Sequence, residues 1–213
     1  MRTSVLSRVL LPVMLAAVVC SAQEAIQLPK PQTEGGKPLM QALNERKTQR
    51  EFSPEKLSPQ VLGNLLWAAW GVNRPDGHRT APSAGNRQEI EIYVTTADGA
   101  YVYDAKNHSL QPVAKEDLRG LTGKQPFVTA APVNLVYVAD FAKMGKSTDE
   151  NKIFYSAADT GFIAQNVYLF CASEGLANVV RGMVDREPLS KALKLRADQR
   201  IILAHTVGYP AKK

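Results

Sequence analysis

Residues 153–174 read IFYSAADTGFIAQNVYLFCASE, contain no proline and stop at Gly175. Their apolar positions run nearly all the way round a helical projection, so they predict one long helix buried on most of its faces and closed by glycine. Ala157, Gly161, Ala164, Tyr168 and Cys171 share one side of it, where small residues permit close helix packing. Such a helix has to lie on an extended apolar surface. Within this chain, that surface is supplied by strands.

The short run Val133, Leu135 and Tyr137, with Val136 and Val138 between them, is apolar on both faces and predicts a buried central strand. Ile90, Ile92 and Val94 alternate with Glu89, Glu91 and Tyr93, and Ala97-Asp98-Gly99 turns the chain into 100–103, which predicts a hairpin. A turn at 105–108 leads to 110–113. Two more strands are expected at 177–180 and 201–207, separated by a short helix around 189–195. Leu39, Met40 and Leu43 predict a short helix ending near Glu45. Ser58-Pro59 is an N-cap and first-turn pair, followed by Leu62, Leu65, Leu66, Ala69 and Trp70 at helical spacing up to Gly71. The stretches 71–88 and 143–152 predict loops. This mixture gives an α+β fold, a sheet covered by helices.

The N-terminus reads as an address and not as part of the fold. Arg2 and Arg8 form a basic region, 9–20 is apolar apart from Pro12, and Cys20-Ser21-Ala22 offers small residues before a cleavage point. Residues 1–22 are therefore expected to be a secretory signal peptide, with lipidation at Cys20 as the alternative. The apolar run is short for a bilayer span, so no stable membrane span is expected. Residues 23–38, with three Pro and two Gly, predict an extended, weakly ordered lead-in, and 39–213 the domain proper.

The formal net charge is +6, two of it from the signal, and the basic residues are scattered without interleaved aromatics, which argues against nucleic acid. Beyond the signal only Cys171 remains, so no intramolecular disulfide is available. His78, His108 and His205 have no metal-ligand spacing, and no metal is expected.

Four segments carry candidate chemistry. In 46–52, RKTQREF, the cations Arg46, Lys47 and Arg50 with the Thr48 hydroxyl suit a phosphate monoester; the alternative is a solvated basic turn. In 81–88, APSAGNRQ, small residues around Pro82, Ser83 and Ala84 let a planar ligand approach, and Asn86 offers a donor and an acceptor to a ring imide; a connecting turn is the alternative. Asp159, Thr160, Gln165 and Asn166 put polar groups into the long helix, facing either a ligand or a helix–helix contact. Finally, Val180-Arg181-Gly182 ends a strand on a glycine that either presents a backbone N–H or only terminates the strand.

Together, RKTQREF, PSAGNRQ, DTGFIAQNVYLFCASEGL and the C-terminal VGYP make the chain resemble the FMN-dependent nitroreductase family over roughly residues 40–210. The segment GAYVYD followed by HSL is similar to the SagB/ThcOx-type branch, which includes azoline-oxidising dehydrogenases. The resemblance implies a mostly antiparallel sheet covered by helices, with FMN sites at a homodimer interface. It assigns Arg46, Lys47, Thr48 and Arg50 to the FMN phosphate and Pro82, Ser83, Ala84 and Asn86 to the isoalloxazine ring, often across the interface. Arg181 and Gly182 fall in the segment that brings a backbone N–H near the reactive nitrogen, and Lys212 matches a late basic residue at the phosphate. Where relatives commonly have proline after the glutamine of the second motif, this chain has Glu89.

The implied function is that of an exported FMN-dependent oxidoreductase acting on a small nitro, quinone or azoline-like substrate, with an unidentified electron donor. No catalytic acid or base is assigned, because a flavin carries the chemistry. The alternatives are an exported flavin-binding or interaction protein without turnover, and a basic anion-binding module without flavin.

Overall fold

The structure, a computed structural model, describes residues 24–212; the expected signal peptide 1–22 and Cys20 lie outside the described residues. Strands β1 (Ile26–Gln27), β2 (Ile90–Thr96), β3 (Gly99–Asp104), β4 (Ser109–Ala114), β5 (Val133–Asp140), β6 (Ala177–Arg181) and β7 (Gln199–Gly208) form one sheet. Its order is β1-β4-β3-β2-β5-β7-β6, with every neighbouring pair antiparallel. The helices are α1 (Leu39–Glu45), α2 (Pro59–Trp70), α3 (Phe127–Ala130), α4 (Asp149–Glu174) and α5 (Arg186–Ala192). This is the α+β architecture expected from the alternation of patterns.

β5 lies inside the sheet, between β2 and β7, and all eight of its residues are buried. Its side chains alternate as the pleat requires. Leu135 and Tyr137 join Ile92, Val94 and the inner faces of α2 and α4 on one side, while Val136 and Val138 join Leu189, Leu193 and Ile201 on the other. Burying a side chain such as Leu135 contributes about 1.5–3 kcal/mol.

α2 begins where expected: the Ser58 side chain accepts from the Val61 N–H, and Pro59 occupies the first turn. α4 differs from its expectation in two ways. It starts at Asp149, because the Thr148 hydroxyl caps Asn151 N–H and the acidic Asp149 and Glu150 occupy its first turn, so part of the polar 143–152 loop is helical. It is also buried on only one side. Ser156, Asp159, Ile163, Val167, Tyr168 and Cys171 face the sheet, whereas Ala157, Gly161, Gln165 and Phe162 are exposed, Phe162 at 49% and Phe154 at 66%. α1, packed beside α4, adds Leu39, Met40 and Leu43 to this exposed apolar surface.

The lead-in is docked and not weakly ordered. Ile26 and Gln27 pair with Leu110 and Ser109, Leu28 is buried, and Gln32 N–H and Lys37 N–H donate to the Asn64 and Ser173 side chains at 2.9 Å each. α5 lies three residues earlier than expected, so that Leu189 and Leu193 reach the core together. No helix among the described residues is long and apolar enough to cross a membrane.

Candidate functional site

The chain leaves α1 at Arg46 and runs extended along the free edge of β6, the last strand of the sheet. An edge strand exposes unpaired backbone groups, and here they are used. Gln49 N–H donates to Asn178 O at 2.9 Å, and Val180 N–H donates to the Tyr168 phenol at 3.2 Å. That phenol lies 3.0 Å from Thr48 Oγ1, and the Arg46 guanidinium stands 5.3 Å from the centre of the Tyr168 ring. The C-terminal strand completes the enclosure: Ser53 N–H donates to Tyr209 O and Ala211 N–H to Glu51 O, which places Lys212 next to the basic segment.

Between these elements opens a cavity of about 550 Å³, walled by Lys37, Arg46, Lys47, Gln49, Asn178 and Pro210 among others. Its charge is one-sided. Glu45 is held by Lys37 at 2.6 Å and by Gln41 at 2.7 Å, and its carboxyl lies below the usual range because of those bonds. Among the described residues, Arg46, Lys47 and Arg50 form no ion pair within 4.0 Å. Uncompensated cations around a cleft favour an anion, and the forked guanidinium favours a phosphate or carboxylate.

β6 begins beside this cavity, whose wall includes Leu176 and Asn178, and it ends at Arg181, with the next residue, Gly182, exposed. Arg181 contributes only its main chain there, because its side chain turns to the opposite face of the sheet. It donates to Thr206 Oγ1 at 3.1 Å, Asn134 Oδ1 at 3.0 Å and Thr122 O. Burial lowers its pKa to about 10, so it stays charged at neutral pH, a cation held by uncharged acceptors alone among the described residues.

The 82–88 loop is built differently. Ser83 Oγ accepts from Gln88 N–H at 3.0 Å, and Ala84 N–H donates to Asp159 of α4 at 2.9 Å. Gln88 is clamped by Arg79 at 2.7 Å and donates to Asn86 Oδ1 at 2.9 Å. The Asn86 oxygen thus accepts one hydrogen bond inside the loop, and its second lone pair and its NH2 group are the acceptor and donor it has for a ligand. Asn86 and Gln88 hold φ of +51° and +49°, a left-handed conformation that this bonding stabilises. Pro82 and Asn86 are exposed at the tip.

Behind the loop sit two buried carboxyls. Glu89 is fully buried and Asp159 nearly so, and neither Glu89 oxygen has a hydrogen-bond partner among the described residues. Burial first, and the adjacent Asp159 second, push the Glu89 pKa up to about 7. Of the other polar groups of α4, Asn166 donates to Ala68 O, a helix–helix contact. The described residues include no metal-binding cluster, and His205 is held neutral in the core, its pKa lowered to about 3 by burial and by Arg181.

The structure thus brings 46–50, Val180 and Lys212 together, with Gly182 two residues further along the same strand end, and sets 82–86 apart from them. Their anchors on α4, Tyr168 and Asp159, are nine residues apart, about 13 Å along the axis and on opposite edges of its buried face. The exposed apolar strip lies between. Tyr168, Asn178 and His205 were not among the candidate site residues read from the sequence; the available signal was a phenol among the small and apolar residues Ala164, Val167 and Cys171 of the helix.

Comparison with known proteins agrees with this arrangement. The profile of the nitroreductase family matches residues 43–209. A protein of Methanocaldococcus jannaschii provisionally named a nitroreductase is 31% identical over 168 residues, 74% of this chain and 85% of its own. A crystal structure of a provisionally named nitroreductase from Ralstonia eutropha superposes with a TM-score of 0.86 at 42% identity, covering 92% of this chain and 93% of that one. The Escherichia coli microcin synthetase complex McbBCD contains a chain of the same fold, with a TM-score of 0.68 at 20% identity over 96% of this chain and 85% of its own. With the family profile matched over residues 43–209 and the Ralstonia eutropha structure superposing over 92% of the chain, this protein belongs to the nitroreductase family of oxidoreductases.

Proposed function

We propose that the protein is an exported FMN-dependent oxidoreductase that passes two electrons to or from a small nitro, quinone or azoline-like compound. The observation that carries the reading is the cavity walled by the uncompensated cations Arg46 and Lys47, with Arg50 on the same segment, along the edge of β6, the strand that ends just before the exposed Gly182. A phosphate at one end and a planar ring at the other fit this chemistry. Arg46, Lys47, Thr48, Arg50 and Lys212 hold the phosphate, and the Gly182 main chain faces the ring. Bound FMN supplies hydride transfer; the chain supplies position and electrostatics.

Pro82, Ser83, Ala84 and the Asn86 NH2 complete the ring site from a second copy of the chain. The exposed strip of α4 and α1, with Phe162, Phe154, Met40 and Leu39, is the surface that such a homodimer buries. Residues 1–22 act as the export signal and 39–213 as the FMN-binding domain. Outside the cytoplasm the donor is a compound other than cytoplasmic nicotinamide.

The test is the visible spectrum of the purified domain before and after adding FMN, followed by anaerobic addition of candidate donors. Flavin absorption that bleaches with a donor and returns with an acceptor supports the reading. A colourless protein that takes up no FMN refutes it, and bound flavin that never cycles leaves a binding protein without turnover. Arg46→Ala weakens FMN binding by about 1.5–3 kcal/mol, the worth of a charge-assisted hydrogen bond; unchanged affinity in a titration shows that the basic segment has another role.

A further inference from the structure

The basic segment is exposed, and nothing within it fixes where its donors point. The one side chain that touches two of them is Tyr168, on the helix beneath. We propose that Tyr168 is a positioning residue for the anion site, handing its phenolic proton to Thr48 so that the Thr48 hydroxyl hydrogen is turned outward to a phosphate oxygen. This rests on the flavin reading above.

The direction of the proton follows from the partners. The buried phenol oxygen accepts from Val180 N–H at 3.2 Å and has one proton of its own to place. Thr48 Oγ1, at 3.0 Å, is the acceptor within reach. The neighbouring His205 ring, 5.0 Å away between centres, offers none. Its Nε2 donates to Asn178 Oδ1 at 2.9 Å, so its Nδ1 is the acceptor for the Tyr137 hydroxyl at 3.1 Å. Were Thr48 instead to donate to Tyr168, the phenolic proton would be buried without a partner, the costlier arrangement. A hydroxyl that accepts from one side keeps its own hydrogen for the other. Thr48 is exposed on the remaining side, toward the segment of Arg46 and Arg50.

The same ring carries the second donor. The Arg46 guanidinium stacks over the Tyr168 face, which restrains a long side chain that has no carboxylate to hold it.

The experiment measures binding of FMN and of riboflavin, which lacks the phosphate, to the wild-type chain and to Tyr168→Phe, Thr48→Val and the double variant. Fluorescence titration gives the dissociation constants, and circular dichroism verifies the fold. Tyr168→Phe keeps the ring under Arg46 and removes only the oxygen. It is expected to raise the FMN dissociation constant about tenfold and leave that of riboflavin unchanged. The double variant is expected to be no weaker than Thr48→Val alone. Wild-type FMN affinity in Tyr168→Phe, equal loss for both flavins, or additive losses in the double variant each overturn the proposal. Should Tyr168→Phe fail to fold, wild-type FMN affinity in Thr48→Val overturns it as well. A wild-type chain that binds neither flavin refutes the flavin reading itself, a different result from any of these.

Discussion

Replacing Glu89 by Gln removes the one carboxyl in the core that is stabilised by carrying its proton. Glu89 is fully buried next to Asp159, and its pKa stands at about 7 against an ordinary 4.5, a difference worth roughly 3 kcal/mol. Because the folded-state value lies above the unfolded one, the contribution of the protonated form is complete below pH 4.5 and is lost as pH rises through 7. Urea unfolding of the wild-type chain between pH 4.5 and 8.5 should therefore show this site removing about 3 kcal/mol of stability. Glu89→Gln keeps the shape and cannot ionise. The variant should match the wild type near pH 4.5, lack this component of the pH slope, and exceed wild-type stability at pH 8. An unchanged slope, or a variant less stable than wild type at pH 8, would refute the idea that Glu89 is buried as the acid.

Two further expectations concern the surfaces of α4 and β6. Phe162→Glu puts a charge into the exposed apolar strip, and sedimentation velocity should then show a monomer where the proposed homodimer is expected for the wild type; an association state that does not change removes this strip from the interface. Arg181→Ala leaves Asn134 Oδ1 and Thr122 O with a lost donor in the core, and should cost about 2–3 kcal/mol in urea unfolding. A loss below about 1 kcal/mol would mean that water replaces the guanidinium there.

The elements easiest to read from the sequence are those whose causes are local. Ser58-Pro59 begins a helix because the cap bond spans three residues, and β5 was legible because an apolar run of that length, rich in Val, has few alternatives to a buried strand. The long helix was legible in its end at Gly175 but not in its start or its exposure. Apolar residues all round a helix state that every face is to be covered, without stating by what. Half of α4 is covered by its own sheet, and the strip with Phe154 and Phe162 is left for another surface.

The candidate site divides in the same way. Composition and order alone marked the cationic segment 46–50, the small-residue loop 82–86 and the strand-end glycine, because each is a contiguous stretch with its own chemistry. Which way the side chains turn depends on contacts between residues far apart in the chain. Arg181 belongs to the core because Thr122, Asn134 and Thr206 meet it there, and Glu89 becomes an acid of unusual pKa because the packed core takes it out of water and α4 brings Asp159 against it. Thr48 and Tyr168 are 120 residues apart, and only the packing of α4 against the edge of β6 makes them neighbours. Local sequence thus determined the elements and the kinds of group on offer. Direction, burial and charge state were decided by the tertiary structure, since hydrogen bonds and desolvation depend on distance in space and not on separation along the chain.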